Sequence, residues 1–322
     1  MSAAASLLAM ATLLLPCQSD DARLNDLLVK YFQAATWPQR NEIQGEIVKI
    51  EGLDCAKLAD AIRSLQLWQP QESGEQRRTL RLGYDASSDM DVVLRVPPGY
   101  DPAKKWPLII TLHGHGGQAE HMLHLTQQLI GSRVDEFVIA APQDIGPLSL
   151  TFDTKVVQRP RALLNVLRHT FHIDSDRVYL MGYSEGSHNA WLATIMHADC
   201  FAGVVPLATH VQTLGGDLLY ELLLANVLNT PILFCWGEND TLDQSGNPHP
   251  LGGVAYYGRR MTAVLKKLKA KQFEGIELKD VGHIGVVPPA DRLSALLSER
   301  REHFPKRVHQ VFRLPDQSDA SS

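Results

Sequence analysis

The chain has 322 residues, enough for one large domain and a small additional one. Apolar residues make up 44% of it, which is ordinary for a globular protein with a sizeable core. The formal net charge of −5 and the scattered basic residues argue against a nucleic-acid-binding protein, which would need a basic patch.

The N-terminal segment has an apolar run at residues 7–15, followed by Pro16 and Cys17. The run is too short to span a bilayer but suits the hydrophobic region of a signal peptide. We therefore predict that residues 1–18 direct export, to the periplasm, the membrane or the exterior. The sequence ending at Cys17 also resembles a degenerate lipobox, which would give that cysteine a lipid anchor. No Lys or Arg precedes Arg23, which is unusual for a signal peptide. The alternative is therefore an apolar N-terminal helix that packs on the protein itself, which would then be cytoplasmic.

Residues 21–70 are predicted to form a small helical module. Apolar residues from Leu24 to Ala35 recur at the spacing of one helix face, and those from Cys55 to Leu65 repeat the pattern. A supporting role is favoured for this module over a pro-segment or a lid. The polar stretch 69–75 is interpreted as a linker.

The four cysteines show no C-x-x-C spacing, which argues against a zinc ribbon or a redox pair. We expect mostly buried thiols, and a disulfide between distant cysteines stays open. These residues are Cys17, Cys55, Cys200 and Cys235.

Residues 77–314 are predicted to be a catalytic domain in which strands and helices alternate. Such alternation is typical of a doubly wound, mostly parallel α/β sheet with helices on both faces. The near-continuous apolar run 106–112 has the character of a strand buried on both faces. The polar residues 315–322 are expected to be a disordered tail. Predicted strands are 78–82, 91–96, 106–112, 137–141, 177–181, 203–207, 232–236 and 275–281, and predicted helices are 120–130, 159–171, 191–197, 218–227 and 256–269.

A glycine-rich loop, H-G-H-G-G at residues 113–117, follows the apolar run. Four histidines lie in or after it, at 113, 115, 121 and 124, and could be imagined as zinc ligands. A carboxylate or cysteine usually joins such ligands at a defined spacing, and none does here. We therefore expect no metal, and we interpret His121 and His124 as polar-face residues of a helix.

The sequence G-Y-S-E-G at residues 182–186 joins a predicted strand to a helix-compatible stretch. This is the context that the G-x-S-x-G nucleophile turn requires. The turn is so sharp that Gly182 and Gly186 cannot carry side chains without clashing. We predict that Ser184 is a nucleophile raised above the sheet; the alternative is an ordinary glycine-rich turn with a surface serine. Tyr183 is interpreted as a wall of the acyl pocket or as a packing residue.

A serine nucleophile of this kind needs backbone N–H groups that bind the oxyanion. One predicted donor is the N–H of Glu185, directly after the nucleophile, and the second is that of His115, with Gly116 as its substitute. The glycines around His115 would let the backbone approach the oxyanion without side-chain interference.

In this fold the acid and then the base follow the serine along the chain. Asp240 lies just beyond the predicted strand 232–236 and is our predicted acid, with Glu238 and Asp243 as alternatives. His283 lies beyond the last predicted strand and is our predicted base, with His249 as the alternative. We expect Gly282 to free the backbone so that the imidazole can point at the serine.

The chain over residues 91–304 resembles the α/β-hydrolase superfamily. The likeness is carried by V-P-P-G-Y-D-P at 96–102, the strand before His113-Gly114, the turn at 182–186, and F-A-G-V-V-P at 201–206. It is most similar to compact bacterial esterases of the polyhydroxybutyrate-depolymerase-like and feruloyl-esterase-like groups, which grade into prolyl-oligopeptidase-type catalytic domains. The resemblance implies ester or peptide hydrolysis without a cofactor. Many relatives have a second glycine after the turn, where this chain has Ser187-His188, so the subfamily stays open.

Acyl transfer through Ser184, His283 and Asp240 is the predicted chemistry, with a small-molecule or polymeric carboxylic ester as the substrate. A serine peptidase of the prolyl-oligopeptidase type and a catalytically inactive binding protein are the alternatives. The expected substrate walls are residues 142–152 and 244–253. The short stretch between the acid and the base leaves no room for a large inserted cap, so a fairly open pocket is expected. The sequence leaves the oligomeric state open.

Overall fold

The computed structural model describes most of the chain, with gaps at the ends and in several loops. The predicted export segment (1–18), Cys17 and the polar tail (315–322) lie outside the described residues, as does the first part of the predicted helix 218–227. The described residues are 19–34, 36–65, 67–82, 89–146, 154–211, 222–242, 246–270 and 272–302, with 305, 306, 308 and 310. The chain divides into two compact units, Met1–Leu67 and Trp68–Ser322.

The first unit contains three helices around a small apolar core. Each helix begins at a residue whose side-chain oxygen accepts a backbone N–H, which satisfies donors that the helix leaves unpaired. These caps are Ser19, Thr36 and Asp54. The buried core residues are Leu24, Leu28, Ile47, Ile50 and Leu65. The helices are α1 (Asp20–Gln33), α2 (Trp37–Ile47) and α3 (Cys55–Ser64).

The second unit is built on one sheet, in which the described residues form eight strands in the order β1-β2-β4-β3-β5-β6-β7-β8. Strand β2 pairs antiparallel with β1 and with β4, and all other neighbours are parallel. The predicted mostly parallel sheet is therefore confirmed. The strands are β1 (Gly74–Arg81), β2 (Asp89–Val96), β3 (Trp106–Leu112), β4 (Val138–Pro142), β5 (Ile173–Tyr183), β6 (Gly203–Leu207), β7 (Ile232–Gly237) and β8 (Phe273–Leu278).

Both faces of this sheet are covered by helices, so the domain has two hydrophobic cores. Alternate residues of β3 show this directly, because Leu108 and Ile110 lie in one core and Ile109 in the other. Helices α5, α6 and α7 supply the first core, and α4 and α8 supply the second. The helices are α4 (Ala119–Ile130), α5 (Thr154–Thr170), α6 (Glu185–Met196), α7 (Gly253–Lys267) and α8 (Ala290–Leu296).

Several element boundaries differ from the predictions. Helix α6 begins at Glu185 rather than at 191, because its first turns are buried although they carry polar residues, which hides the apolar periodicity. Helix α5 begins at Thr154, five residues before the predicted start, and contains Pro160. Strand β1 starts at Gly74 instead of 78, and β8 ends at Leu278 instead of 281.

The three described cysteines are free thiols, of which Cys235 is buried and Cys55 is exposed. Burial raises the pKa of Cys235 to about 12 and that of Cys200 to about 11, so neither is a thiolate at neutral pH. Across the part of the chain that the structure describes, no helix combines the length and the hydropathy needed to cross a bilayer.

Candidate active site

Three side chains that the sequence singled out meet at the carboxyl edge of the sheet. Ser184 follows β5, Asp240 follows β7, and His283 follows β8. The Oγ of Ser184 lies 2.8 Å from Nε2 of His283. The Nδ1 of His283 lies 2.8 Å from Oδ2 of Asp240. The three groups thus form one continuous chain of hydrogen bonds, from a hydroxyl through an imidazole to a carboxylate.

The turn that carries Ser184 is strained and closely packed. Ser184 has a φ of 54°, in a region that residues other than glycine rarely adopt. A Cβ on Gly182 would lie 2.2 Å from the carbonyl oxygen of Gly186, and a Cβ on Gly186 would lie 2.2 Å from that of Leu112. The neighbouring backbone therefore holds the serine in its unusual conformation, as expected at a functional site.

Asp240 is almost fully buried, with 5% of its side chain exposed. Its loop packs directly against the loop of the base, since the N–H of Asn239 donates to the carbonyl oxygen of Val281 at 2.8 Å. At Gly237 a Cβ would lie 2.3 Å from the carbonyl oxygens of both Val281 and Gly282. The glycine at the end of β7 is thus what allows the acid and the base to approach each other.

Gly282 does not use the conformational freedom of a glycine, contrary to the expectation that it frees the backbone for the base. A Cβ on Gly282 would meet nothing within 4 Å, and its φ is not positive. The left-handed positions of this loop are Asp280, with a φ of 60°, and Gly285, with a φ of 90°. The backbone therefore turns on either side of the base rather than at the residue before it.

The alternative acids and base lie elsewhere. Glu238 accepts a hydrogen bond from the N–H of Asp280 at 3.2 Å. Asp243 lies outside the described residues. The Nδ1 of His249 accepts from the N–H of Leu251 at 3.1 Å. Of the candidate bases that the structure describes, His283 is the one hydrogen-bonded to the serine, and of the described candidate acids, Asp240 is the one hydrogen-bonded to His283.

The charge of Asp240 acts directly on the base. Its hydrogen bond raises the pKa of His283 above the ordinary value, and its negative charge adds to the effect against the opposing influence of burial. The His283 side chain is 42% exposed, so one part of the ring remains open to solvent. An imidazole in this setting can accept a proton and be stabilised as a cation.

The glycine-rich loop after β3 packs against the nucleophile. A Cβ on Gly114 would lie 3.1 Å from Cβ of Ser184, so the loop backbone approaches the serine closely. The N–H of Gly117 donates to the carbonyl oxygen of Gly114 at 3.0 Å, and Gly116 between them has a φ of 62°. His115 lies within this tight turn, and Glu185 opens helix α6 directly after the serine.

Three of the four histidines of the zinc alternative contact separate groups. The ring of His113 lies between the carbonyl oxygens of Gly114 and Gln143, at 2.7 and 2.8 Å. His115 contacts Glu185, and His124 contacts Glu75. Within the described ranges, no group of three or more potential metal-ligating side chains occurs.

Two residues at this edge make contacts that the sequence did not indicate. Tyr183 was interpreted as a pocket wall or packing residue, but its hydroxyl donates to the main-chain carbonyl of His283. His210 follows β6, is 6% exposed, and stacks on Tyr257 with ring centroids 4.2 Å apart. Burial, with a smaller effect of His188, lowers its pKa to about 3. His210 could have been identified as a candidate site residue from the sequence, because it lies just beyond a buried strand.

The expected substrate walls are only partly described, because residues 147–153 and 243–245 fall outside the described ranges. Beside the acid and the base, the described loops carry exposed apolar side chains. Ile284, directly after the base, is 87% exposed. The others are Leu242, Leu251 and Val287.

Comparison with known proteins gives one partial sequence match and many structural ones. No family profile matches the chain. A protein of Nocardia uniformis subsp. tsuyamanensis assigned as an esterase, NocK, is 34% identical over 148 residues, which are 42% of this chain and 40% of that protein. The chain thus matches less than half the length of this curated relative.

Three of the similar solved structures each align with this chain at a TM-score of 0.51. A thermostable esterase is 19% identical, and the match covers 70% of this chain and 63% of the esterase. A ferulic acid esterase of Anaeromyces mucronatus in complex with ferulic acid is 15% identical, and the match covers 72% of this chain and 93% of the esterase. A poly(aspartic acid) hydrolase of Sphingomonas sp. KT-1 is 12% identical, and the match covers 70% of this chain and 97% of the hydrolase. The predicted α/β-hydrolase fold is confirmed.

Proposed function

We propose that this chain is a serine hydrolase that cleaves carboxylic esters through an acyl-enzyme on Ser184. One observation carries the proposal: the hydroxyl, the imidazole and the carboxylate are joined by two hydrogen bonds of 2.8 Å. The similarity to NocK and the fold shared with the thermostable and ferulic acid esterases support an ester as the substrate.

The first step is attack of Ser184 Oγ on the carbonyl carbon of the ester. His283 Nε2 takes the serine proton as the carbon–oxygen bond forms, because a serine hydroxyl is a poor nucleophile until it is deprotonated. Asp240 keeps the proton on Nδ1 of the ring and stabilises the imidazolium. The raised pKa of His283 agrees with this role.

The tetrahedral oxyanion is held by backbone N–H groups in the proposed mechanism. The N–H of Glu185 lies in the first turn of α6, where the helix leaves its first donors unpaired. The second donor is the N–H of His115, or of Gly116, in the loop packed against the serine. Each such donor can lower the barrier by about 3 kcal/mol.

Collapse of the intermediate breaks the bond to the alcohol, which leaves with the proton from His283. Water then attacks the acyl-enzyme, His283 takes its proton, and the carboxylic acid is released as the proton returns to Ser184. The exposed apolar side chain of Ile284 follows the base directly, and that of Val287 lies further along the same loop. This position suits an aryl or alkyl leaving group, which would cover apolar surface on binding.

Hydrolysis of p-nitrophenyl acetate tests this function. The wild type is expected to turn over, and Ser184→Ala, His283→Ala and Asp240→Asn to lose nearly all activity. Ser298→Ala serves as the matched control, because it removes an exposed hydroxyl that donates to the carbonyl oxygen of Ser294 and accepts from Arg133, neither of which is a site residue. Activity of Ser184→Ala equal to that of the wild type would refute the proposal. Feruloylated sugars, polyesters and dipeptide amides assayed in parallel separate an esterase from a peptidase.

Export remains a proposal that rests on the sequence of residues 1–18. The mature protein from fractionated cells should lack this segment, and mass spectrometry of its first peptide measures this directly. A lipid-bearing N-terminus that disappears in Cys17→Ala would identify the anchored form. An intact N-terminus in the cytoplasm would refute export.

A further inference from the structure

The two residues proposed as oxyanion donors also contact each other through their side chains. Nδ1 of His115 lies 3.0 Å from Oε2 of Glu185, across a sequence separation of 70 residues. The side chain of His115 is 91% exposed, whereas that of Glu185 is only 9% exposed. This contact, the His115–Glu185 bridge, joins the loop after β3 to the first turn of α6.

The carboxylate of Glu185 needs a partner where it lies. A buried carboxylate without a hydrogen bond is costly, and one beside the nucleophile would also oppose the negative charge of an oxyanion. A hydrogen bond from His115 satisfies this oxygen. The bridge therefore allows a carboxylate to occupy the position directly after the serine.

The opposite side of the loop is held by different contacts. His113 lies against the carbonyl oxygen of Gln143, and the amide of Gln143 donates to the carbonyl oxygen of Gly117 at 3.3 Å. These bonds fix the loop to the end of β4. The His115–Glu185 bridge fixes the same loop to α6, so the segment is secured on both sides.

We infer that His115 and Glu185 are positioning residues whose side-chain bridge sets the spacing of the two backbone donors. The inference rests on the proposed function. Both donors must lie about 3 Å from the oxyanion, and this oxygen moves as the carbonyl becomes tetrahedral. If the loop moved away from α6, its backbone N–H would lie too far from the oxyanion to donate a hydrogen bond in the transition state. Binding of the ground-state ester would change little.

Three variants test the inference in the full-length protein. His115→Ala and Glu185→Ala should each lower kcat by about tenfold with KM within about twofold, because only transition-state contacts weaken. Glu185→Gln keeps an amide oxygen that can accept from Nδ1–H, so its kcat should lie between those of Glu185→Ala and the wild type. The double variant should be no worse than either single one, since both remove one bridge.

A second readout is the inhibition constant of an aryl trifluoromethyl ketone, which forms a tetrahedral adduct with the serine. Its affinity should fall by the same factor as kcat/KM in both alanine variants. His124→Ala is the matched control, because it removes another histidine–glutamate contact, of 3.1 Å to Glu75, that involves no site residue. This control should keep wild-type kcat and inhibitor affinity.

Wild-type kcat and inhibitor affinity in both His115→Ala and Glu185→Ala would overturn the inference while leaving the serine mechanism intact. A rise in KM at unchanged kcat in His115→Ala would also overturn it, since it would assign His115 to substrate binding. If Glu185→Ala fails to fold, His115→Ala decides alone, because that ring is almost fully exposed. An inactive wild type would instead refute the proposed function.

Discussion

The hydroxyl of Tyr183 donates a hydrogen bond of 2.7 Å to the main-chain carbonyl oxygen of His283. Burial raises the pKa of this hydroxyl, and backbone contacts to Val286 and Gly285 partly offset that effect. The residue before the nucleophile is thereby attached to the loop that carries the base. We therefore expect this attachment, together with Asp240, to hold the imidazole in place beside the serine.

Tyr183→Phe should lower kcat several-fold and destabilise the protein by about 1 kcal/mol, the usual effect of losing one hydrogen bond. Tyr100→Phe is the matched control, because its hydroxyl accepts from the N–H of His172 at 2.9 Å, away from the site. It should lose similar stability and keep wild-type kcat. Equal kcat values in the two variants would refute a role for Tyr183 in holding the base.

The pH dependence of kcat/KM reports the charge on His283. The base works only when neutral, so activity should fall as pH drops through its raised pKa, at a midpoint above about 6.5. Asp240→Asn removes the charge that favours the imidazolium, so the midpoint should move to lower pH. Its plateau should fall by about 10⁴ because the tautomer is no longer fixed.

Assays of p-nitrophenyl ester hydrolysis from about pH 5 to pH 9 measure both effects. The prediction fails if the Asp240→Asn midpoint stays where it is in the wild type.

Glycine substitutions distinguish closely packed positions from open ones. Gly186→Ala should cost at least about 3 kcal/mol or prevent folding, since its Cβ would lie 2.2 Å from the carbonyl oxygen of Leu112. Gly282→Ala should cost less than about 1 kcal/mol, because the space around that position is open. Urea unfolding of both variants measures the difference, and similar losses would contradict it.

Buried histidines make the fold sensitive to acid. Burial lowers the pKa of His210 to about 3 and that of His197 to about 4 in the folded protein. The unfolded chain binds these protons below about pH 6.5 and the folded protein does not, so stability falls as pH decreases from there. The decrease is on the order of 1 kcal/mol per pH unit for each residue until its folded pKa is reached.

His210→Phe keeps a ring stacked on Tyr257 and removes the titrating group. Its free energy of unfolding should therefore depend less on pH than that of the wild type between about pH 6.5 and pH 5. Urea titrations at the two pH values measure this difference. Equal pH dependence in the two proteins would exclude His210 as a source of acid sensitivity.

Patterns with a single physical cause were predictable from the sequence. The strand 106–112 was predicted with the bounds of β3 because burial on both faces leaves a near-continuous apolar run. The turn at Ser184 was recognised because its glycines mark places where the backbone leaves no room for a side chain. These signals are local, so one segment is sufficient to detect them.

Features that depend on tertiary contacts were not predictable. The start of α6 was missed because Ser187 and His188 are polar yet buried. The hydroxyl of Ser187 donates to the carbonyl oxygen of Thr209, a partner outside the helix. Gly282 was expected to free the backbone for the base, whereas the close approach occurs at Gly237, against carbonyls more than forty residues away. The hydrogen bond between Tyr183 and His283 joins residues that are 100 positions apart in the chain, and neither local sequence indicates it.

Fluorophosphonate labelling followed by peptide mass spectrometry tests the central claim most directly. The proposed mechanism predicts one adduct, on Ser184, that forms rapidly in the wild type. The adduct should be absent from Ser184→Ala and form far more slowly in His283→Ala. An active wild type whose Ser184 stays unmodified, or whose adduct lies on another residue, would contradict the mechanism.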